Sequence, residues 1–345
     1  MRRLLTWLDF RLSLRDSLGP MLMHPVPRQL SGPLGWWYVF GSASMTLLLI
    51  QILTGIGLAM VYVPSADQAY ESLVYLNYQQ PLGWFLRSLH YWSGSAMVFM
   101  VMVHMTQVFL HGAYKYPREL NWVTGVLLLL LTLGMAFSGQ VLRWDADAYW
   151  GVGVGASMAG RVPWIGPYIV DLLIGGPIIG ANSLSRFFAL HVFVIPALLL
   201  TLLVVHLWLV VKRGVSVPPV PGQIVDPRSY ENEYEAELHK NGVPFFGEAM
   251  QKDVIFSALV VIFVIVLAAI VGPKGPGALP EPALLGADPK PDWPFWWTFA
   301  LLSLSPPAAE TLIILVMPVA LIGLLLLVPF LSNRGERAPS RRRDS

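Results

Sequence analysis

The sequence contains no cysteine among its 345 residues, and this absence sets the first limits on its function. A chain without thiols forms no disulfide, ligates no iron–sulfur cluster, offers no thiol nucleophile and makes no thioether bond to a haem. Charged residues are also scarce, at 13%, whereas hydrophobic residues make up 55%. This composition differs from that of soluble domains and predicts an integral membrane protein. The net charge of +2 gives no indication of a nucleic-acid partner, so membrane lipids are the expected surroundings.

Long apolar stretches are abundant. Six of them are long enough to cross a hydrocarbon core of ~30 Å, which predicts an all-α polytopic membrane protein. They cover residues 36–62, 84–110, 122–142, 186–211, 254–271 and 311–331. Seventeen of the 23 lysines and arginines fall on one side of these spans, and by the positive-inside rule both termini are cytoplasmic. In the N-terminal segment 1–35, Leu4, Leu8 and Leu12 recur at helical spacing beside arginines, which predicts a helix on the membrane surface.

Two spans carry two histidines each. His90 and His104 are fourteen residues apart, and His191 and His206 are fifteen apart. At 100° per residue, each pair lies within about 40° to 60° of one helix face, at two depths. Ionisable side chains inside a membrane usually have a functional reason or a partner. Two such helices facing each other would hold two stacked haems, each by two imidazoles. The alternative is that the histidines are polar contacts between helices.

Glycines in the first and third spans repeat this spacing. Gly41 and Gly55 are fourteen residues apart, and so are Gly125 and Gly139. A missing side chain lets a backbone approach a flat macrocycle closely, so we predict that these glycines give clearance to the haems. Small residues also promote helix packing in membranes without any cofactor, and this reading stays open.

Arginines stand about one helical turn before the two outer histidines. Arg87 precedes His90 and Arg186 precedes His191. A guanidinium group there would suit a haem propionate, although arginines at a membrane interface are also common without that role.

The segments between the spans predict the domain organisation. Residues 36–212 form a four-helix haem-binding half, 213–252 a cytoplasmic linker, 253–331 a two-helix remainder, and 332–345 a basic cytoplasmic tail. The outer connections 143–185 and 272–307 are long and rich in glycine and proline. We expect them to lack regular secondary structure and to be functional.

Several motifs resemble cytochrome b of the Rieske/cytochrome b quinol-oxidising complexes, in its shorter bacterial fused form. They are RSLH at 87–90, KYPRELNW at 115–122, GQVLRWDADAYWG at 139–151 and SRFFALH at 185–191. The resemblance implies a subunit in the bacterial inner membrane that carries electrons between an outer quinol site and a cytoplasmic quinone site. It further implies a Rieske protein and a c-type cytochrome as partners, in a dimeric complex.

The resemblance also assigns residues. Two non-covalent b-type haems would be held by His90 with His191 on the outer side and by His104 with His206 on the cytoplasmic side. Arg87 and Arg186 would contact haem propionates. Lys252 and Asp253 would line the cytoplasmic quinone site, although a charged, solvated start of a helix is the plainer reading of these two residues.

The sequence departs from the family at the outer side. Residues 291–294 read PDWP where the family has Pro-Glu-Trp-Tyr, so Asp292 is the candidate acceptor of the quinol proton. Arg143 replaces a proline, and Gln140 replaces a tyrosine. These changes favour a second hypothesis, a di-haem cytochrome b in a complex without a Rieske protein, with one working quinone site. A third hypothesis is a haem-free transporter or structural bundle.

Overall fold

The computed structural model describes residues 23–281, 290–333 and 335–342, together with positions 6, 7, 9–11, 13, 16, 19 and 283. Leu4, Leu8 and Leu12, on which the predicted surface helix depends, lie outside the described residues. Eleven α-helices in the described part are numbered in chain order. They are α1 Phe40–Ala59, α2 Ala69–Tyr78, α3 Gly83–Leu110, α4 Glu119–Val141, α5 Ala146–Gly160, α6 Gly166–Ile174, α7 Ala181–Arg213, α8 Tyr230–Asn241, α9 Met250–Val271, α10 Trp296–Ser303 and α11 Glu310–Leu331.

Six of these helices are long and apolar enough to cross a membrane, namely α1, α3, α4, α7, α9 and α11. They coincide with the six predicted spans, and the predicted all-α polytopic fold is confirmed. The fourth span begins earlier than predicted, because α7 continues the short amphipathic stretch that starts at Ala181.

The helices pack as two pairs with two further helices against them. Helix α1 lies along α3, and α4 lies along α7. Helix α9 covers α1 and α3, whereas α11 packs against α4. The largest buried cluster joins α1, α3, α7 and α9 through Leu47, Met97, Leu199 and Val264. Large apolar side chains such as Phe263, 63% exposed, face outward, as expected for helices whose surroundings are lipid tails.

The outer connections contain more helix than we predicted. The connection 143–185 contains α5 and α6, and the connection 272–307 contains α10, so the expectation of irregular structure was wrong. Helix α5 begins where the side chain of Asp145 accepts a hydrogen bond of 3.0 Å from the backbone N–H of Ala148. Helix α6 ends at Gly175, whose φ of +78° suits a residue without a Cβ. Capping residues such as Asp145 and Gly175 thus define helix ends inside connections whose glycine and proline content predicted irregular structure.

Two short antiparallel strand pairs in the described residues lie among the connections that were predicted to be cytoplasmic. β1 (Pro25–Val26) pairs with β3 (Val243–Pro244), and β2 (Ile224–Val225) pairs with β4 (Gly335–Glu336). The second pair joins the predicted linker to the predicted C-terminal tail. The tail is therefore folded onto the helices in its described part, where it contributes backbone hydrogen bonds and a buried arginine, Arg337.

Arginines and tyrosines fix the tail in place. Arg342 donates hydrogen bonds to the carbonyl oxygens of Phe109 and Leu110 at the end of α3, at 3.0 and 2.7 Å. Arg337 lies over the ring of Tyr230 at 5.0 Å, and Arg118 lies over the same ring at 5.5 Å. Burial alone would raise the pKa of Tyr230, but these two positive charges outweigh burial and lower it.

Candidate functional site

The four histidines lie on the two helices that were predicted to carry them. His90 and His104 are on α3, and His191 and His206 are on α7. The rings of His90 and His191 face each other with their centroids 6.3 Å apart. This separation leaves room for one metal ion between two imidazoles, since a metal–imidazole bond is ~2 Å long. His104 lies close enough to His206 for the two to interact electrostatically. The structure thus places one pair toward each end of the bundle.

Helix α7 reaches this geometry through a π-helical turn at Leu190–Val194, which contains His191. The N–H of Ile195 donates to the carbonyl of Leu190, five residues earlier. Pro196 explains the turn, because a proline has no N–H and its ring clashes with the carbonyl four residues before it. A π turn accommodates one extra residue, so the fifteen-residue step on α7 matches the fourteen-residue step on α3. This removes most of the angular mismatch expected for a regular helix.

Each of the four glycines faces one histidine. A Cβ at Gly41 or Gly55 would lie 3.3 Å from the Cε1 atom of His104 or His90, respectively. On α4, a Cβ at Gly125 would lie 3.6 Å from Cε1 of His206. At Gly139 the corresponding distance to His191 is 2.8 Å, which is too short for any side chain without a shift. The glycines therefore make room for the imidazole rings of the neighbouring helix, within the space where we had predicted clearance for a macrocycle.

Hydroxyl groups contact three of the histidines at Nδ1. The hydroxyl oxygen of Thr54 is 2.8 Å from His90, that of Thr124 is 2.8 Å from His206, and that of Ser138 is 3.0 Å from His191. The sequence reading missed these residues. A usable signal was present, because each of them directly precedes one of the four glycines.

The two candidate propionate partners contact backbone oxygens at the outer surface. Arg87 is buried, and its guanidinium donates to Asn77 at 2.7 Å and to the carbonyls of Lys274 and Gly275. Arg186 donates to the carbonyls of Asp171 and Leu172 in α6. Both arginines thus hold outer loops onto the bundle. Their role toward haem propionates stays a prediction.

Asp292 lies at the outer ends of α3 and α4, where the connection 272–307 folds back. Its carboxylate forms an ion pair with Lys274, and its backbone N–H donates to the side-chain oxygen of Gln140 at 3.1 Å. Lys274 also lies 6.0 Å above the ring of Tyr91. Gln140 is buried, and its contact with Asp292 holds the PDWP segment against α4.

Arg143 occupies a second charged cluster beside Asp292. Its guanidinium is 3.6 Å from the carboxylate of Asp145 and 4.0 Å from that of Asp147. The other oxygen of Asp145 accepts a hydrogen bond of 2.9 Å from the N–H of Gly277. Asp145 is 1% exposed, so the cluster joins the start of α5 to the connection 272–307 in a buried position.

Lys252 and Asp253 are buried at the N-terminal end of α9, the end that was predicted to be cytoplasmic. The ammonium group of Lys252 lies 2.8 Å from the carboxylate of Asp253 and donates to the carbonyl of Ala249, also at 2.8 Å. Asp253 accepts a further hydrogen bond from the hydroxyl of Ser42 on α1. The plainer reading, a solvated helix start, does not fit side chains that are only 10% and 8% exposed.

Ser42 connects this pair to the inner histidines. It directly follows Gly41, the glycine that faces His104. The sequence reading missed Ser42, because a serine in an apolar span carries no signal of its own. The structure therefore brings the predicted cytoplasmic pair and the predicted inner ligand to one end of the bundle.

Together the fold and the site define a multi-pass helical membrane protein with two stacked histidine pairs, each suited to a bis-imidazole metal cofactor. A family model described as Cytochrome b/b6/petB matches residues 26–214. The chain belongs to this cytochrome b/b6 family. The family implies b-type haem, and the residues present fit it, since each of the four histidines faces a glycine and the Nδ1 contacts of His90, His191 and His206 leave their Nε2 atoms for iron.

Individual relatives agree with this assignment. The chain is 39% identical over 222 residues to the menaquinol:cytochrome c reductase cytochrome b subunit of Geobacillus thermodenitrificans, covering 63% of this chain and 99% of that one. It is 33% identical over 331 residues to the cytochrome bc complex cytochrome b subunit of Chlorobaculum thiosulfatiphilum, covering 95% and 73%. A solved structure titled hyperthermophilic respiratory Complex III superposes with a TM-score of 0.79 at 26% identity, covering 98% of this chain and 85% of that one.

Proposed function

We propose that this chain, as the cytochrome b subunit of a bc-type quinol oxidoreductase complex, carries electrons across the membrane between an outer quinol site and a cytoplasmic quinone site. The observation that carries the proposal is the pair of facing histidine sets at two depths, each with its own glycines. A relative named as a menaquinol:cytochrome c reductase subunit supports quinol as the reductant. The haem-free alternative does not fit a member of this family.

The histidines would hold two non-covalent b-type haems, His90 with His191 and His104 with His206. When bound, these groups supply one-electron transfer between the two sides of the membrane. Because two histidines would leave each iron no open position for a reactant, the chain would bind quinol and quinone elsewhere. The glycines and the π turn set the position of each ring.

The outer site would remove protons from quinol. Asp292 offers a carboxylate at the end of the bundle that contains His90 and His191, and a carboxylate within hydrogen-bond reach can accept one of the two protons that quinol loses. Lys274 stabilises the charged carboxylate before the proton arrives, and Gln140 fixes the backbone of Asp292. These contacts give Asp292 a defined position on a loop.

The cytoplasmic site would return protons to the reduced quinone. Lys252 carries protons that can be donated, whereas Asp253 and Ser42 link the ammonium group to the start of α1. Since Ser42 is next to Gly41, the pair lies close to the inner histidine His104. Proton uptake here and release at Asp292 would lie on opposite sides of the membrane if both termini are cytoplasmic.

The partners follow from the same proposal. The names of the relatives support a bc-type complex with a cytochrome c as redox partner. A Rieske protein as a further partner, and a dimeric complex in the bacterial inner membrane, are part of the proposal because the resemblance implies them. A second candidate function, with a single working quinone site and no Rieske partner, is favoured by one observation. Arg143 and Gln140, which differ from the residues that the resemblance implies at these positions, both make contacts that hold the outer connections in place.

The test measures haem per chain in the purified complex, with reduced-minus-oxidised spectra. The wild type should contain two low-spin haems. His104→Leu or His206→Leu should remove one haem and leave the outer one. His239→Leu, on α8 and outside the site, is the control and should leave both. One haem per well-folded wild-type chain would overturn the proposal.

A further inference from the structure

The hydroxyl groups beside the histidines have their hydrogens already committed. Thr54 donates to the carbonyl of Ile50 at 2.6 Å, in its own helix. Thr124 donates to Leu120 at 2.9 Å, and Ser138 donates to Gly134 at 2.7 Å. In all three the acceptor is the carbonyl four residues earlier, a bond that serine and threonine often make inside helices.

This arrangement determines the state of the imidazoles. A serine or threonine hydroxyl has one hydrogen and two lone pairs. With the hydrogen given to the helix, the oxygen can only accept from the histidine, so Nδ1 of His90, His191 and His206 must carry the proton. The lone pair is then on Nε2. The chain therefore holds three of its histidines in the tautomer that presents Nε2 to a metal, before any metal binds.

His104 is the exception. The residue before Gly41 is Phe40, where the other three glycines follow a threonine or a serine. In the described part of the chain the Nδ1 atom of His104 is buried and has no hydrogen-bond partner. The phenyl ring of Phe40 packs instead against Phe256 on α9, with centroids 5.6 Å apart. The outer pair thus has two hydrogen-bonded imidazoles and the inner pair has one.

We infer that Thr54, Thr124 and Ser138 are positioning residues that strengthen their histidines as iron ligands, and that the missing hydroxyl at Phe40 raises the reduction potential of the inner haem. The inference rests on the haem ligation proposed above. A histidine that donates from its second nitrogen is a more basic ligand. A more basic ligand stabilises the oxidised metal, and hydrogen bonding around the ligands is one of the ways in which a protein sets a haem potential.

The first test removes single hydroxyls and measures the two haem potentials in the intact complex. Thr54→Val keeps the shape of the side chain and should raise the outer potential. Thr124→Val should raise the inner one. We expect each change to alter the reduction equilibrium by two- to tenfold, at most about 59 mV for one electron. Thr54→Ser keeps the hydroxyl and should retain the wild-type potential.

The second test adds a hydroxyl where the chain has none. Phe40→Thr should lower the inner potential relative to Phe40→Val, its control of equal shape, and leave the outer potential unchanged. The low-spin EPR signal of the same haem should shift with it. Because both variants lose the phenyl ring, the difference between their inner haem potentials measures the effect of the hydroxyl alone.

The outcomes separate this inference from the proposed function. The inference is overturned, while haem binding stands, if all variants bind two haems and their potentials do not differ. The comparisons are Thr54→Val and Thr124→Val with the wild type, and Phe40→Val with Phe40→Thr. A shift in Thr54→Ser as large as that in Thr54→Val would also overturn it, because packing would then be the cause. Absence of haem in the wild type would refute the proposed function itself.

Discussion

The two ends of the bundle, called outer and cytoplasmic after the proposed orientation, are built in different ways. At the proposed cytoplasmic end, Lys252 and Asp253 are neighbours on one helix and are both buried. At the outer end, Asp292 meets Lys274, which lies eighteen residues earlier in the same connection, and the lysine side chain is 39% exposed. The cytoplasmic pair is fixed by helix geometry, whereas the outer pair depends on loop contacts with Gln140 and Arg87. Sequence change is therefore easier to accommodate at the outer end, where the PDWP segment, Gln140 and Arg143 lie.

Glycine substitutions should give the largest difference between the two ends. Gly139→Ala places a Cβ 2.8 Å from the ring of His191, so this ring must move. We expect the affinity for the outer haem to fall by roughly ten- to a hundredfold, as for other changes that misorient metal ligands. Gly125→Ala, with 3.6 Å to His206, should keep both haems. Haem-to-protein ratios measure the effect, and equal ratios in the two variants would contradict the assignment of the glycines.

Removal of each lysine should destabilise the two ends unequally. Lys252→Met leaves the buried carboxylate of Asp253 without its partner, and we expect a loss of ~3–5 kcal/mol. Lys274→Met breaks a more exposed pair and should cost about 1 kcal/mol or less. Thermal unfolding of the purified complex in detergent measures both. Adding Asp253→Asn to Lys252→Met should recover most of the loss, and equal shifts for the two single variants would show that burial does not separate the pairs.

Asp292→Asn tests whether the outer end is catalytic. Without a proton acceptor, quinol-driven reduction of the outer haem should slow by about a hundredfold, while both haem spectra stay unchanged. Glu281→Gln, in the same connection, is the control and should be without effect. Stopped-flow reduction in the intact complex measures the rate. A wild-type rate in Asp292→Asn would favour the alternative with one working quinone site.

An imposed membrane potential should shift electrons between the two ends by a smaller amount. Moving one charge across a full 100 mV involves ~2.3 kcal/mol, and the distance between the haems is only part of the membrane. In sealed vesicles the ratio of the two reduced haems should change by a few-fold when the potential is imposed, and it should return when an ionophore removes it. If the ratio of the two reduced haems does not change with the imposed potential, this would argue against stacking of the two histidine pairs across the bilayer.

Features that depend on the spacing of residues along one helix could be predicted from the sequence. The six spans follow from apolar length, and the spacing of His90 and His104 places them on one face because α3 is a regular helix. The fourteen-residue spacing of the glycines likewise predicted their depth, though it did not show that each faces an imidazole. These features depend on one helix at a time, so no tertiary information was needed.

The parts that depend on contacts between distant segments could not be predicted. The π turn at His191 was not predicted, although Pro196 was visible, because proline in a membrane helix has several outcomes. The partner of Asp292 is set by how a glycine- and proline-rich connection folds. The role of Thr54, Thr124 and Ser138 needed the neighbouring helix, since a hydroxyl inside an apolar span looks the same whether or not it meets a histidine.

The folded C-terminal segment gives the two halves of the chain contacts that do not depend on the covalent link between them. Val220, in the exposed stretch between α7 and β2, is 56% exposed, so a break in the chain there would disturb little packing. The piece beyond the break would still hold the first piece through Arg342 on the end of α3 and through the packing of α9 on α1 and α3. We therefore expect the halves, expressed as two separate polypeptides, to assemble in the membrane and co-purify. The shorter relative from Geobacillus thermodenitrificans, matched over 99% of its length by 63% of this chain, shows that nature uses polypeptides of about that size.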